Sequence, residues 1–464
     1  MAGIMIAAPK SGSGKTMVTC GLLTLLKRKG YCPMACKCGP DYIDGLFHRT
    51  VLGVETENLD SYFETEDHMR RKVFRAMKDH ILVAEGAMGY FDGLGGVSMR
   101  GSCQEIRRIL GLPALLTVDA KGASLSLLAM IQGFLDFERE AAGESGIRGI
   151  FLNRASKGVY QMIKPLVEER FHIPVVGYLP ELDFLRVGSR HLGLILPDEV
   201  EGLRQQLERL ADCLEEGMDW ESFWKIAEGK LPRDISPKGE EQGTLFTEPF
   251  SLAVARDPAF CFYYQDNLRA LEAAGAILHD FSPLTDEALP PGCCGILLGG
   301  GYPENFAKEL GENQAMRKAI NTAAEGGMPI LAECGGYLYL LDSLEGTDGR
   351  SYPMAGVLRG HGYRAGRTGR FGYISLHPDK ETPYLTFGEE IRGHEFHYWD
   401  CCLEEGKELF CMEAVKPAGG RRWPCMRSYK GVLAGFPHLY YPSCPQLARR
   451  FAMQCLAYGK EQRQ

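Results

Sequence analysis

Short apolar runs and longer amphipathic runs take turns along the first half of the chain. GIMIAA, PMACK, HILVAE, PALLTVD, IRGIFLN and PVVGYLP are brief and apolar nearly throughout, so they read as strands buried on both faces. Between them, TMVTCGLLTLLKRKG and SLSLLAMIQGFLDF repeat their apolar residues at helical spacing. This alternation predicts a parallel sheet covered by helices on both sides. Near residue 230 the pattern lapses: EGKLPRDISPKGEEQGTLFTEP is polar, carries three prolines and has no helical period, as a linker would. From residue 251 the alternation resumes with SLAVA, a helix through NLRALEAAG, then AILHDF, GILLGG and MPILAE. The expected organisation is a first α/β domain over residues 1–232, a linker over 233–248 and a second α/β domain over 249–464.

Composition narrows the picture. The 464 residues are 45% hydrophobic and 24% charged, with a formal net charge of −8, which gives no general affinity for nucleic acid or an anionic membrane surface. No apolar run is long enough to span a bilayer, and the start MAGIMIAAPKSGSGK leads straight into a glycine loop without a signal-peptide pattern. The 16 cysteines are therefore expected as free thiols in a reducing cytoplasm. Cys32, Cys36 and Cys38 lie close together, but their spacing fits no zinc motif.

The first glycine loop, AAPKSGSGKT (residues 7–16), follows a predicted strand and opens a predicted helix. It is a phosphate loop of the type G-x-x-x-x-G-K-[ST] with Pro9 in place of the first glycine. Backbone N–H groups of Gly12, Ser13 and Gly14 would cradle phosphate, Lys15 would reach the β- and γ-phosphates of ATP, and Thr16 would offer its hydroxyl to Mg²⁺. Acids follow later strands: Asp41 and Asp44 in CKCGPDYIDG, Glu85 in ILVAEGAMGYFDG, and Asp92 shortly after. In an open parallel sheet ligands bind at the carboxyl ends of the strands, so Asp41, Asp44 and Glu85 join Thr16 as candidate Mg²⁺ ligands.

The second domain carries a different chemistry. ILAECGGYLYL reads as strand, sharp turn and helix, with Cys334 at a nucleophile elbow of the type G-x-C-x-G in which Ala332 replaces the first glycine. The turn should expose the thiol, and the helix N-terminus should lower its pKa. A base is needed, and His438 in GVLAGFPHLYYP, at the end of a predicted strand, is the candidate. LLGGGYPE supplies a glycine turn whose Gly300 and Gly301 N–H groups would form an oxyanion hole. HEFH (394–397) is not a zinc motif, because its second histidine comes one residue too early. It belongs to this domain or to its contact with the first.

LGGGYPE, AECGGYLYL and FPHLYY resemble the class I glutamine amidotransferases of the cobyric-acid-synthase type. With GPDYIDGLFH, EGAMGYFDG, RGHEFHYW and the altered phosphate loop, the resemblance extends from about residue 3 to residue 442 and is to the a,c-diamide synthase branch of that family. It implies a dethiobiotin synthetase-like P-loop domain followed by a flavodoxin-like amidotransferase domain, both α/β. It also implies an ATP- and glutamine-dependent ligase that amidates two acetate carboxylates of cobyrinate through acyl phosphates in cobalamin biosynthesis. The family's nucleophile falls on Cys334, its base on His438, and its metal-linked or phosphoryl-transfer acids on Asp41, Asp44 and Glu85. Substrate contacts fall on Tyr42, Ile43 and Asp92, and contacts to the nucleotide base fall on Asn153 and Pro180. Lys10 resembles the extra lysine of deviant Walker loops in the MinD and dethiobiotin synthetase superfamily, which leaves a homodimer open. One departure stands out: where a triad usually has an acid, two residues after the histidine, this chain has Tyr440.

The residues themselves require only a carboxylate acceptor. Hydrogenobyrinate, nickel sirohydrochlorin or the propionates of a later corrinoid would use the same chemistry. A non-enzymatic P-loop switch would leave Cys334 and His438 without a purpose, and a dethiobiotin synthetase-like carboxylation would leave the second domain idle.

Overall fold

The computed structural model describes residues 2–184, 197–229, 248–366, 370–402 and 409–462. The chain divides into two compact units, Met1–Gly239 and Glu240–Gln464. Most of the expected linker lies outside the described residues.

The first unit is built on seven parallel strands: β1 Ala2–Ala7, β2 Pro33–Cys38, β3 Thr56–Leu59, β4 Ile81–Glu85, β5 Ala114–Asp119, β6 Ile147–Asn153 and β7 Val175–Leu179. Their order across the sheet is β3-β2-β4-β1-β5-β6-β7. Six were legible as apolar runs. β3 was not, because TENL at the sheet edge carries polar residues that its register beside β2 buries: Thr56 and Glu57 are both inside. One face of the sheet packs Leu22, Leu23 and Leu26 of helix α1, Lys15–Arg28, against Ile4, Ile6 and Val83. The other face packs Met69, Val73, Ile106 and Ile131 against Met5, Leu82 and Leu116. This topology brings the ends of β1, β2 and β4 together, with the phosphate loop leaving the central strand.

In the second unit, β8 Phe250–Ala255, β9 Ala276–Phe281, β10 Gly295–Leu298 and β11 Ile330–Glu333 pair in parallel in the order β11-β10-β8-β9, and Val432–Gly435 adds a fifth parallel strand beside β11. Beyond it the sheet turns antiparallel through Arg422–Tyr429, Leu409–Val415, Phe371–Pro378, Ile391–Phe396 and the two-residue strand His438–Leu439. A separate small sheet pairs Ser343–Glu345, Ser351–Pro353, His361–Arg364 and Trp399–Cys402. The sheet carries His438 as the first residue of a two-residue strand, three residues past Gly435, so the expected strand running up to the histidine is broken at Phe436 and Pro437.

All sixteen cysteines are free. Cys36 and Cys38 are buried on β2, while Cys32 is exposed. No described helix is long and apolar enough to cross a membrane.

Candidate functional site

The phosphate loop owes its shape to two glycines with positive φ, Gly12 at 76° and Gly14 at 97°. Asn153, at the end of β6, donates from Nδ2 to Ser13 O at 3.0 Å, and a Cβ on Gly14 would fall 2.0 Å from that nitrogen. Asn153 is 2% exposed, so it braces the loop from beneath, a role the sequence did not suggest, while its Oδ1 has no hydrogen-bond partner among the described residues. Lys15 donates to Met88 O, and burial lowers its pKa, partly opposed by nearby Cys103 and Glu85. Asp92 is exposed, and its Oδ2 accepts from Gly89 N at 2.9 Å, so one oxygen is engaged in holding its own loop.

The acids predicted as Mg²⁺ ligands do gather, but around a cation that the sequence reading missed. Lys37 Nζ, on β2, lies 2.8 Å from Glu85 Oε1, contacts Asp44 Oδ2 and stands 3.8 Å from Asp41 Oδ2. Burial alone would deprotonate this lysine, but Glu85, Asp44 and Asp41 outweigh it and hold the ammonium well above its ordinary pKa. Glu85 shares Oε1 with Thr16, whose hydroxyl donates at 2.6 Å. Its other oxygen, Oε2, is buried without a hydrogen-bond partner among the described residues. Burial raises the Glu85 carboxyl against the pull of Lys37. Asp41 accepts from the backbone N–H groups of Ile43 and Asp44 at 3.0 and 3.2 Å, fixing the turn into the helix Ile43–Phe47, and burial pushes its carboxyl up to about 6. Tyr42 and Ile43 are half-buried at the start of that helix. Lys37 had left no signal in PMACK because one lysine ending an apolar run reads as a strand leaving the core.

The second unit builds its centre at the end of β11. Cys334 takes φ 48° and ψ −100°, a strained conformation for a residue with a side chain, and the helix Gly335–Leu340 starts immediately after it. Its N–H donates to Gly435 O at 2.8 Å, fixing the elbow to the neighbouring strand. The thiol is 8% exposed. Contrary to the expectation of a lowered pKa, burial and the carboxylates of Glu304, Glu395 and Glu333 push it up. A single short turn of helix does not offset loss of water together with three neighbouring acids.

His438 is 2% exposed and kept neutral by burial and by His394 and His397. Its imidazole lies between Gly300 and His394: a Cβ on Gly300 would come within 2.4 Å of His438 Cε1, and the His394 ring stacks at 5.5 Å. The HEFH segment therefore belongs to this unit, where His394 pairs with His438 across two antiparallel strands. Gly301 N lies 3.0 Å from where a Cβ on Gly335 would be, so this N–H borders the elbow, and the Gly300 carbonyl is anchored by Cys261 and Phe262 N–H groups at 3.0 Å each.

Tyr440, in the usual position of the acid, donates to Asp266 Oδ2 at 2.7 Å. The carboxylate beside His438 comes instead from the residue preceding the nucleophile: Glu333 Oε2 is 4.0 Å from His438 Nδ1, and its Oε1 accepts from Tyr441 OH at 2.9 Å. Burial pushes Glu333 up to about 8. Asn267 fixes the segment by donating to Leu439 O at 2.7 Å and accepting from Tyr441 N at 2.8 Å. Glu333 ends its strand as Glu85 does, but its role depends on His438, contributed from a different strand, which AECGG alone does not show.

Comparison with known proteins covers both units. The model described as the CobQ/CobB/MinD/ParA nucleotide binding domain matches residues 4–194, and that described as the CobB/CobQ-like glutamine amidotransferase domain matches residues 251–441. A protein of Caldanaerobacter subterraneus subsp. tengcongensis named cobyrinate a,c-diamide synthase is 35% identical over 98% of this chain and 99% of its own. Proteins of the same name from Listeria innocua and Salmonella typhimurium are 37% and 35% identical, over 98% and 96% of this chain and 99% and 96% of theirs.

Proposed function

The chain belongs to the cobyrinate a,c-diamide synthase family, and on that footing we infer that it amidates the a and c acetate carboxylates of cobyrinate with ATP and glutamine, in cobalamin biosynthesis. The observation that carries this reading is that one chain holds both required centres: a phosphate loop facing buried acids, and an elbow cysteine preceded by a glutamate that lies 4.0 Å from a buried histidine.

In the first unit, the loop N–H groups and Lys15 bind the ATP phosphates, and Asn153 keeps the loop in shape. The hard oxygens of Thr16, Asp41, Asp44 and Glu85 suit a divalent cation, and the partnerless Glu85 Oε2 fits a ligand atom. Mg²⁺ held there would offset the charge on the β- and γ-phosphates. Tyr42, Ile43 and Asp92 border the position of the acceptor. An acetate oxygen attacks the γ-phosphorus, ADP leaves, and the product is an acyl phosphate that ammonia can attack.

In the second unit, His438 takes the Cys334 proton as sulfur attacks the glutamine amide carbon, then passes it to the departing nitrogen, giving a glutamyl thioester and ammonia. Gly300 and Gly301 N–H groups receive the developing oxyanion. Glu333 orients the imidazole through Nδ1. Water hydrolyses the thioester to glutamate. The released ammonia attacks the acyl phosphate, phosphate departs, and an amide remains.

The test is to supply amide-¹⁵N glutamine, Mg-ATP and a panel of tetrapyrrole acids that includes cobyrinate and hydrogenobyrinate. The expected result is labelled a,c-diamide from cobyrinate with release of ADP. Cys334→Ser should abolish glutamine-supported amidation while leaving ammonia-supported amidation intact. Absence of ¹⁵N from the product would overturn the reading.

A further inference from the structure

The acid cluster of the first unit already contains a cation. Asp41, Asp44 and Glu85 would carry three negative charges, and the ammonium of Lys37 sits among them, within 2.8 Å of Glu85, in contact with Asp44 and 3.8 Å from Asp41. Its side chain is 5% exposed. A divalent ion bridging the same carboxylates would have to occupy nearly the same place. Next to it, Glu85 Oε2 is fully buried and without a hydrogen-bond partner among the described residues, on a residue that is itself 0% exposed. A buried carboxylate oxygen left in that state is expensive unless something enters to meet it. Thr16 Oγ1 and Lys37 Nζ both bind the other oxygen of the same carboxylate, so the ammonium stands one atom away from the phosphate loop.

We propose that Lys37 holds the cation seat of the acid cluster in the nucleotide-free protein, so that a divalent cation enters only together with nucleotide phosphates, which draw the ammonium out of the seat. The inference rests on the phosphoryl-transfer reading of the first unit and goes beyond it, since that reading requires only that the cation bind at some point. Two positive centres compete for the same carboxylates while the phosphates are absent. Once they are present, their negative charge accommodates both the lysine and the ion. Lys37 thereby guards the acids from binding free cation without nucleotide, and it places a second ammonium, besides Lys15, beside the phosphoryl group in transit.

The experiment reads cation binding directly and needs no corrinoid or glutamine. Mn²⁺ is titrated into the full chain and free Mn²⁺ is followed by electron paramagnetic resonance, with and without a non-hydrolysable ATP analogue. Wild type is expected to leave Mn²⁺ free without nucleotide and to bind it once the analogue is added. Lys37→Met should bind Mn²⁺ without nucleotide at least about tenfold more tightly than wild type, because a unit positive charge a few ångströms from the ion has been removed. Lys37→Arg, which keeps the charge, should behave as wild type. Glu85→Gln placed in the Lys37→Met background should remove the new binding. Should Lys37→Met fail to fold, the wild-type titration still decides: tight Mn²⁺ binding without nucleotide overturns the proposal. So does equal Mn²⁺ affinity in wild type and Lys37→Met. An enzyme that showed the predicted Mn²⁺ behaviour but never labelled a diamide would refute the amidation reading and leave the seat of Lys37 standing.

Discussion

Replacing Glu333 by glutamine tests whether the missing third member of the amidotransferase centre has been found. The change is nearly isosteric and keeps an oxygen to accept from Tyr441 OH, which now lies 2.9 Å from Oε1, so the packing around the elbow should survive. What is lost is a negative charge facing His438. At the observed 4.0 Å separation, the attraction between a carboxylate and an imidazolium is about 4 kcal/mol at an effective dielectric of about 20. That is a ceiling of about three orders of magnitude in rate, and partial screening in the site brings the expected fall in glutaminase kcat to about 10²-fold, measured above pH ~8, where the Glu333 carboxyl is ionised. KM for glutamine should change little, because Glu333 acts on the base. The pH profile adds a signature that a merely structural role would not move. With burial pushing Glu333 up to about 8, the carboxylate facing Nδ1 becomes ionised only as pH rises through that value. Wild-type glutaminase activity should therefore climb toward alkaline pH, and Glu333→Gln should lose that limb. The groups facing Glu333 are His438, which burial drives down, and Tyr441, Tyr263 and Cys334, which burial drives up. Glu304 beside Cys334 is pushed up to about 7 and titrates in the same range, so the limb assigned to Glu333 is the part of the profile that Glu333→Gln removes. If glutaminase kcat in Glu333→Gln stayed within about threefold of wild type and kept the same pH profile, the assignment of Glu333 would be wrong.

Three further outcomes follow from the same geometry. Gly300→Ala would drive a methyl group to 2.4 Å from His438 Cε1, with His394 stacked on the ring; displacing the base by about 1 Å should lower glutaminase kcat about 10²-fold, measured as glutamate release, with ammonia-supported amidation unchanged. Gly14→Ala would impose about 1–3 kcal/mol of backbone strain at φ 97° and a clash with Asn153 Nδ2, and should weaken ATP binding, measured by calorimetry, without affecting glutaminase. His394 is held neutral, down to about 3, by burial and then by Lys416. Its folded pKa is thus below its unfolded value of about 6.5, so the unfolded chain binds more protons, and stability present above pH ~6.5 is lost as pH falls toward 3. Thermal unfolding of the second unit between pH 4 and 7 should show a slope of up to ~1.4 kcal/mol per pH unit from this group, which His394→Asn should flatten.

The two-unit α/β plan was legible because buried parallel strands are apolar throughout and alternate with amphipathic helices, two patterns that local sequence displays directly. The antiparallel extension of the second sheet was not, since strands such as Phe371–Pro378 and Arg422–Tyr429 alternate polar and apolar residues without the flanking helices that signal a crossover. Within the sites, Lys15 and Cys334 were legible because their neighbours in sequence are also their neighbours in chemistry. Lys37 and Glu333 were not. Each is a charged residue at or next to the end of a buried strand, and its meaning depends on a partner 48 residues away for Lys37–Glu85 and on a histidine contributed from a different strand for Glu333. Asn153 was found for its position, but its fold contact with Ser13, 140 residues away, could be seen only in three dimensions.

The two centres solve opposite electrostatic problems, which explains why a single site could not serve both. Phosphoryl transfer concentrates negative charge, so the first unit fixes positive charge in place: Lys15 at the loop and Lys37 among acids that keep it protonated even in full burial. Thioester chemistry instead creates and removes charge within one turnover. In the mechanism proposed for the second unit, the reacting groups are neutral at rest, with burial pushing the Cys334 thiol up and the His438 imidazole down. Charge then appears only when a proton moves from sulfur to nitrogen. A neutral cluster beside ATP would leave the γ-phosphate charge unanswered. Placing the two sites in separate units lets each keep the environment its own transition state requires, with uncharged ammonia as the one species that both environments tolerate.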